Sequence, residues 1–401
     1  MNGGQVAGLG LLASALVLPV SASAQSDSDA DFLINNDSSS QFMIKAEINS
    51  SKPYQNPLPP PDTSSVQPAR DSSPVELPGA VPGVISKQST LAPKAYGSFG
   101  IPYTSKRVTH KPTSSVSSSA GGYLSATYPY RAIGRLDFNV GFCSASLIRR
   151  SVIVTAAHCI QNFGSGSGTF SGWTFKPAYY NGSTPYGSWG WQALVRPASW
   201  ANGTDIGSGA ARDNDLAVII LKKNSSGQFI GDITGYLNYG WNNYSFVKSS
   251  KTGNLWTAAL TTLGYPGLLD SGRILQRSDG PSYLTTVSGA GQIYQGSNFT
   301  GGSSGGPWIA NFGYQNPAFS GGANGGSAAA NNVVVGVTSW GASDPNAPKD
   351  NWSSQFRQNT RYPNASYGSF GAGNIASLLY TACSAKPSGS ASTYQQLGYC
   401  N

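Results

Sequence analysis

The chain has 401 residues, enough for one large domain with extensions or for two domains of ordinary size. Only 10% of it is charged, while Gly reaches 50 residues, Tyr 21 and Trp 9. This composition excludes a highly charged helical or coiled-coil protein and fits a loop-rich extracellular β protein. The formal net charge of +8 is scattered rather than gathered in basic runs, so it reads as a solvated surface and not as a nucleic-acid footprint.

Taken in chain order, residues 6–20 (Val6 to Val20) form an apolar run of about 15 residues, followed by the small residues Ala22-Ser23-Ala24. The pattern predicts a signal peptide over residues 1–24 and a secreted protein, although Met1–Gln5 carry no Lys or Arg. The run is too short to span a membrane comfortably. Residues 25–107 are rich in Ser, Pro and Asp, as in Pro57-Leu58-Pro59-Pro60-Pro61-Asp62, and predict a propeptide or a disordered linker. Lys106-Arg107 reads as a dibasic processing site, which leaves 108–401 as the folded domain; the alternative reading is that Tyr96–Arg107 already belong to that domain. Both glutamates, Glu47 and Glu76, precede that boundary, so residues 108–401 contain none.

From about Thr127 the pattern is short β runs separated by Gly, Asn, Ser and Pro, which predicts an all-β architecture. Ser151–Thr155, Leu216–Leu221 and Val333–Trp340 are examples. One helix is predicted, Ala372–Ala382, with Leu378, Leu379 and Ala382 able to share a face.

Four places along this β pattern carry chemistry. The first is Ser151-Val152-Ile153-Val154-Thr155-Ala156-Ala157-His158-Cys159, a buried-type strand that delivers a histidine beside a cysteine. The second is Asp213-Asn214-Asp215-Leu216-Ala217-Val218, where a carboxylate opens an apolar strand. The third is Gly301-Gly302-Ser303-Ser304-Gly305-Gly306-Pro307-Trp308, a serine on a glycine-rich turn that a substrate backbone can approach closely. The fourth is Thr338-Ser339-Trp340-Gly341, which ends another strand. The serine turn by itself matches Gly-x-Ser-x-Gly, the nucleophile elbow of α/β-hydrolases, as well as Gly-x-Ser-Gly-Gly-Pro. An α/β-hydrolase requires a histidine after its serine, whereas His110 and His158 both precede Ser304.

Together these motifs resemble trypsin-like serine proteases over roughly residues 125–380. Tyr128-Pro129-Tyr130-Arg131-Ala132-Ile133-Gly134, Leu263-Gly264-Tyr265-Pro266-Gly267 and Ser303 resemble the V8-like branch, which includes glutamyl endopeptidases. The resemblance implies two packed antiparallel β-barrels with a C-terminal helix, and a triad of His158, Asp215 and Ser304 in the cleft between them. It implies an oxyanion hole from the N–H groups of Gly302 and Ser304, and support of Asp215 by Ser339. It also implies substrate alignment along Ser339-Trp340-Gly341 and a specificity pocket with Asn298 at its base. Thr338 stands where glutamyl endopeptidases usually keep a histidine, which argues against cleavage after Glu; the absence of Glu after residue 107, which would protect such an enzyme from itself, argues for it. Disulfides Cys143–Cys159 and Cys383–Cys400 are implied, although four cysteines allow three connectivities. No cofactor and no metal are expected, and the partners expected are polypeptide substrates of a monomer, with neither nucleic acid nor membrane. The rival readings are a catalytically silent protease-fold binding protein and a secreted esterase. Asn181, Asn202, Asn224, Asn243, Asn298, Asn351 and Asn364 each open an Asn-x-Ser/Thr triplet.

Overall fold

The computed structural model describes residues 31–35, 52–54, 101–108, 124–248, 250–313, 330–341 and 349–401. The apolar run 6–20, Glu47, the proline cluster 57–62, Glu76 and His110 lie outside these residues. Two short strands lie upstream of the main β pattern, β1 (Phe32–Asn35) and β2 (Thr104–Arg107). The first barrel follows with β3 (Ile133–Phe138), β4 (Gly141–Arg149), β5 (Val152–Thr155), β6 (Thr174–Pro177), β7 (Trp189–Arg196) and β8 (Ala217–Leu221). Its strands pair antiparallel in the ring β3-β4-β5-β8-β7-β6, closed by β6 on β3.

The connection carries the two-residue strands β9 (Asn238–Tyr239) and β10 (Val247–Lys248). The second barrel is β11 (Trp256–Gly264), β12 (Gln276–Val287), β13 (Ala290–Gly296), β14 (Pro307–Ala310), β15 (Val333–Gly341) and β16 (Asp350–Gln355). These close antiparallel as β11-β14-β15-β16-β13-β12, with β12 returning to β11. Closing each sheet on itself removes the open edges that an antiparallel sheet would otherwise expose. The β-branched runs behave as their composition requires: Val152–Thr155 and Ala217–Leu221 are buried throughout.

The predicted C-terminal helix is present as Gly373–Ser384, and Ile375, Leu378, Leu379 and Ala382 on it are completely buried. It packs against β7 and β8. Disulfides join Cys143 to Cys159 and Cys383 to Cys400. The second ties the chain end beside Ser151, whose N–H donates to Tyr399 O over 2.8 Å. Among the described residues, no helix is long and apolar enough to cross a membrane.

Parts of the front of the chain have a defined place on the barrels. The boundary at 107/108 cuts through the second barrel: β2 pairs antiparallel with Gln276–Asp279 of β12, and Arg107 pairs with Asp270. Val108 continues that run, with its N–H on Leu275 O over 2.8 Å and no exposed surface. A dibasic pair held in a sheet is a poor processing site, because cleavage there requires the strand to leave its partner. Nor does all of 25–107 behave as a linker. β1 pairs antiparallel with Ala193–Arg196 of β7, and residues 52–54 pack on β4.

Candidate active site

Strand pairing brings the four motifs together two by two. Thr155 at the end of β5 lies opposite Ala217 at the start of β8, so the residues just beyond each strand, His158 and Asp215, emerge at the same end. Pro307 opens β14 opposite Val337 of β15, so Ser304 before the one and Ser339 after the other also share an end. Those two ends face each other between the barrels, as the contacts below require.

His158 Nδ1 lies 2.7 Å from Asp215 Oδ2, and the His158 N–H donates to Asp215 Oδ1 over 2.9 Å. Ser339 Oγ donates to Asp215 Oδ2 over 2.6 Å. The register between β15 and β16 slips between Thr338 and Trp340, which leaves Ser339 out of the ladder and free to turn toward Asp215. His158, Asp215 and Ser339 have no exposed surface, so this carboxylate holds three hydrogen bonds away from competing water. With Nδ1 facing the carboxylate, the imidazole offers its Nε2 to the other side. Nε2 is buried and has no hydrogen-bond partner among the described residues, so the contact to Ser304 Oγ is not made.

The serine turn is clamped by both barrels. Ser144 N–H donates to Ser304 O over 2.8 Å, and Ser144 Oγ donates to Gly302 O over 2.9 Å while accepting from Tyr265 N–H. From the other side, Gly305 N–H donates to Thr338 O and Thr338 N–H to Gly306 O, each over 2.8 Å. Gly302 at φ 95° and Gly305 at φ 78° take a backbone form that L side chains rarely adopt. A Cβ at Gly305 would also stand 2.1 Å from Thr155 Oγ1. Ser303, next to Ser304, turns its hydroxyl into the loop and donates to Thr300 O over 2.7 Å.

The remaining predicted residues divide. Trp340 stacks on Trp352 with centroids 4.9 Å apart and 4° between planes, and so stiffens the strand end. Thr338 Oγ1 accepts from Trp308 Nε1 over 2.9 Å, which engages it inside the barrel. Asn298 is partly buried, and its Oδ1 has no partner among the described residues. Asp213 is structural, taking Arg357 Nη2 and Gly291 N–H on one oxygen at 2.8 Å each. Burial pushes its carboxyl up, and Arg357 opposes this. Cys143 and Cys159 lie beside His158, but both sulfurs are bonded to each other, so this group leaves only the imidazole as a ligand.

Three contributors were missed. Ser144 carries the clamp, two residues before Ser146 in the same cysteine-bearing strand, and nothing in its type marks it. Asn351 was noticed only as the start of an Asn-x-Ser triplet. It lies opposite Gly341, its Nδ2 donates to Phe299 O over 3.1 Å, and it is too buried to be glycosylated as folded. The third is Tyr54, from the proline-rich front of the chain. Its carbonyl oxygen accepts the Gly302 N–H over 3.1 Å, and its ring lies 5.9 Å from that of His158, with 23° between planes.

The family model described as Trypsin matches residues 120–353. A glutamyl endopeptidase of Bacillus licheniformis is 30% identical over 181 residues, which is 45% of this chain and 49% of that protein. The match therefore spans about half the length of that relative. Among solved structures, protease Anisep from Arthrobacter nicotinovorans is 22% identical, with a TM-score of 0.42 over 57% of this chain and 91% of its own. A Glu endopeptidase solved with MPD is 19% identical, with the same TM-score over 63% of this chain and 91% of its own.

Proposed function

The chain belongs to the trypsin family, and we propose that it is a secreted serine endopeptidase that cleaves polypeptides through His158, Asp215 and Ser304. The observation that carries this reading is the buried hydrogen-bond chain from Ser339 through Asp215 to His158 Nδ1, set at the same strand ends as the clamped Ser304 turn.

In this reading Ser304 Oγ attacks the scissile carbonyl carbon while His158 Nε2 takes its proton. Asp215, held by Ser339, keeps the proton of the neutral imidazole on Nδ1 and stabilises the cation that forms. The carbonyl oxygen becomes an oxyanion that accepts from the Gly302 and Ser304 N–H groups. His158 then protonates the leaving amine, and water releases the acyl group from Ser304 by the same steps in reverse order. Loss of one oxyanion donor typically costs about 3 kcal/mol of barrier, which explains why so much structure is invested in the turn.

Preference for Glu on the acyl side of the cleaved bond is part of the proposal. It is supported by the absence of Glu after residue 107 and by the name of the Bacillus licheniformis relative. An acid is missing at Asn298, so a cationic side chain finds no counter-charge at that position. The test is the cleavage profile of the secreted protein on a mixed peptide pool, with Ser304→Ala alongside. Cleavage by the wild type alone, enriched after Glu, is the expected result. Cleavage without that enrichment removes the Glu preference, and an intact, processed chain that never cuts removes the peptidase reading.

A further inference from the structure

Residues 52–54 cross the cleft beside the triad. Phe142 N–H donates to Lys52 O over 3.1 Å, and Tyr54 N–H donates to Phe142 O over 3.0 Å, so the segment runs parallel to the start of β4. Two glycines make room for it. A Cβ on Gly141 would stand 2.7 Å from Lys52 O, and one on Gly267 would stand 2.4 Å from Pro53 Cγ. The Tyr54 ring fills a niche of first-barrel residues, with Phe138 and Phe170 at 5.5 and 5.2 Å between centroids, and its hydroxyl donates to Asn162 Oδ1 over 2.8 Å.

Upstream, the same part of the chain is anchored a second time. β1 adds to β7, and Asp31 accepts from the hydroxyls of Tyr362, Ser377 and Thr381 at 2.7, 2.8 and 3.2 Å. Tyr394 Oη donates to Asn35 Oδ1 over 3.1 Å.

We propose that Lys52–Tyr54 is an autoinhibitory latch: the Tyr54 carbonyl occupies the Gly302 oxyanion donor and the Tyr54 ring covers His158, with β1 as its anchor. The inference rests on the peptidase reading above. The latch acts at the two places the reaction needs. An incoming carbonyl cannot use an N–H that is already engaged, and a substrate chain cannot pass over an imidazole that carries a stacked phenol. Tyr54 presents its carbonyl to one of the two expected oxyanion donors, the Gly302 N–H, and its side chain packs on Phe138 and Phe170 instead of on the Thr338–Gly341 strand end. It therefore occupies the cleft without entering the expected specificity pocket.

The test follows labelling of Ser304 by a fluorophosphonate probe on the uncut chain, separated from processed forms by gel. Wild type is compared with Tyr54→Ala, which removes the ring, Tyr54→Phe, which keeps it, and Ser304→Ala as blank. The latch predicts at least tenfold faster labelling for Tyr54→Ala and a rate near wild type for Tyr54→Phe. Equal rates in all three, with processed enzyme labelling normally, overturn the latch and leave the peptidase reading standing. No labelling of any form, processed chain included, overturns the peptidase reading and the latch with it. A second measurement does not depend on how the variants fold. A synthetic peptide covering Ile48–Leu58, added to processed enzyme, should inhibit it and remain uncut, and a Tyr54→Ala peptide should be at least tenfold weaker. Cleavage after Tyr54, or equal potency of the two peptides, overturns the proposal.

Discussion

At the scale of single residues, the site depends on where hydrogen bonds go. Asp215→Asn would leave the shape of the site intact but favour the wrong imidazole tautomer, and a fall in kcat of about 10^4 with little change in KM is expected from steady-state kinetics. Ser303→Ala should be almost silent in kcat, because that hydroxyl is bound to Thr300 O and serves the loop. Its cost should be about 1 kcal/mol in denaturant unfolding. Asp205 gives a pH signature. Burial pushes its carboxyl up to about 6 from 3.8, against two hydrogen bonds from Asn214 that favour the charged form. The folded chain holds this proton more tightly than the unfolded chain, so the stabilisation is complete below about pH 4 and is lost as pH rises through 6. Asp205→Asn cannot titrate. The stability difference between the two proteins should therefore move toward the variant by on the order of 2 kcal/mol from pH 4 to pH 7, measured by denaturant unfolding at each pH. The motif residues were legible because each pairs a reactive type with a strand or turn that explains its place. Ser144 and Asn351 act through contacts far away in sequence, and their types are too common to stand out.

At the scale of elements, the serine turn and the C-terminal tail are the parts most open to a single change. Gly305→Ala must place a side chain at φ 78° and 2.1 Å from Thr155 Oγ1. It should cost more than about 1 kcal/mol in unfolding experiments and abolish labelling of Ser304, since the whole turn must shift. Replacing Cys383 and Cys400 by Ser opens a loop of 17 residues, for which about 3 kcal/mol of stability is expected to be lost, read as a lower Tm. The strands that place His158, Asp215 and Ser339 could be read directly, since β5, β8 and β15 are dense in β-branched residues. The helix was placed within two residues of its observed ends because its apolar residues recur at helical spacing. β1 and β2 could not be read in this way. Each has four residues and no periodic pattern, and each is made a strand by a partner more than 150 positions away. A dibasic pair looks the same in sequence whether it lies in a loop or in a ladder.

At the scale of the whole molecule, the proposed latch makes the front of the chain the control on the candidate site. Since 101–108 belong to the second barrel and Lys52–Tyr54 to the latch, the cut that yields active enzyme should fall between Tyr54 and Ile101. N-terminal sequencing of the secreted form checks this, and a start at Val108 would refute it. The all-β architecture was legible from the spacing of turn residues along the chain. What lay beyond reach was that the composition of a linker can conceal two docking points. The anchor at β1 has a further consequence. A cut downstream of Tyr54 leaves β1 and the latch on one released fragment, so that fragment is a bivalent ligand whose two ends raise each other's effective concentration. Hydrolysis alone would then not complete activation. Freshly cut enzyme should gain activity on dilution and lose it again on concentration, until the fragment is destroyed.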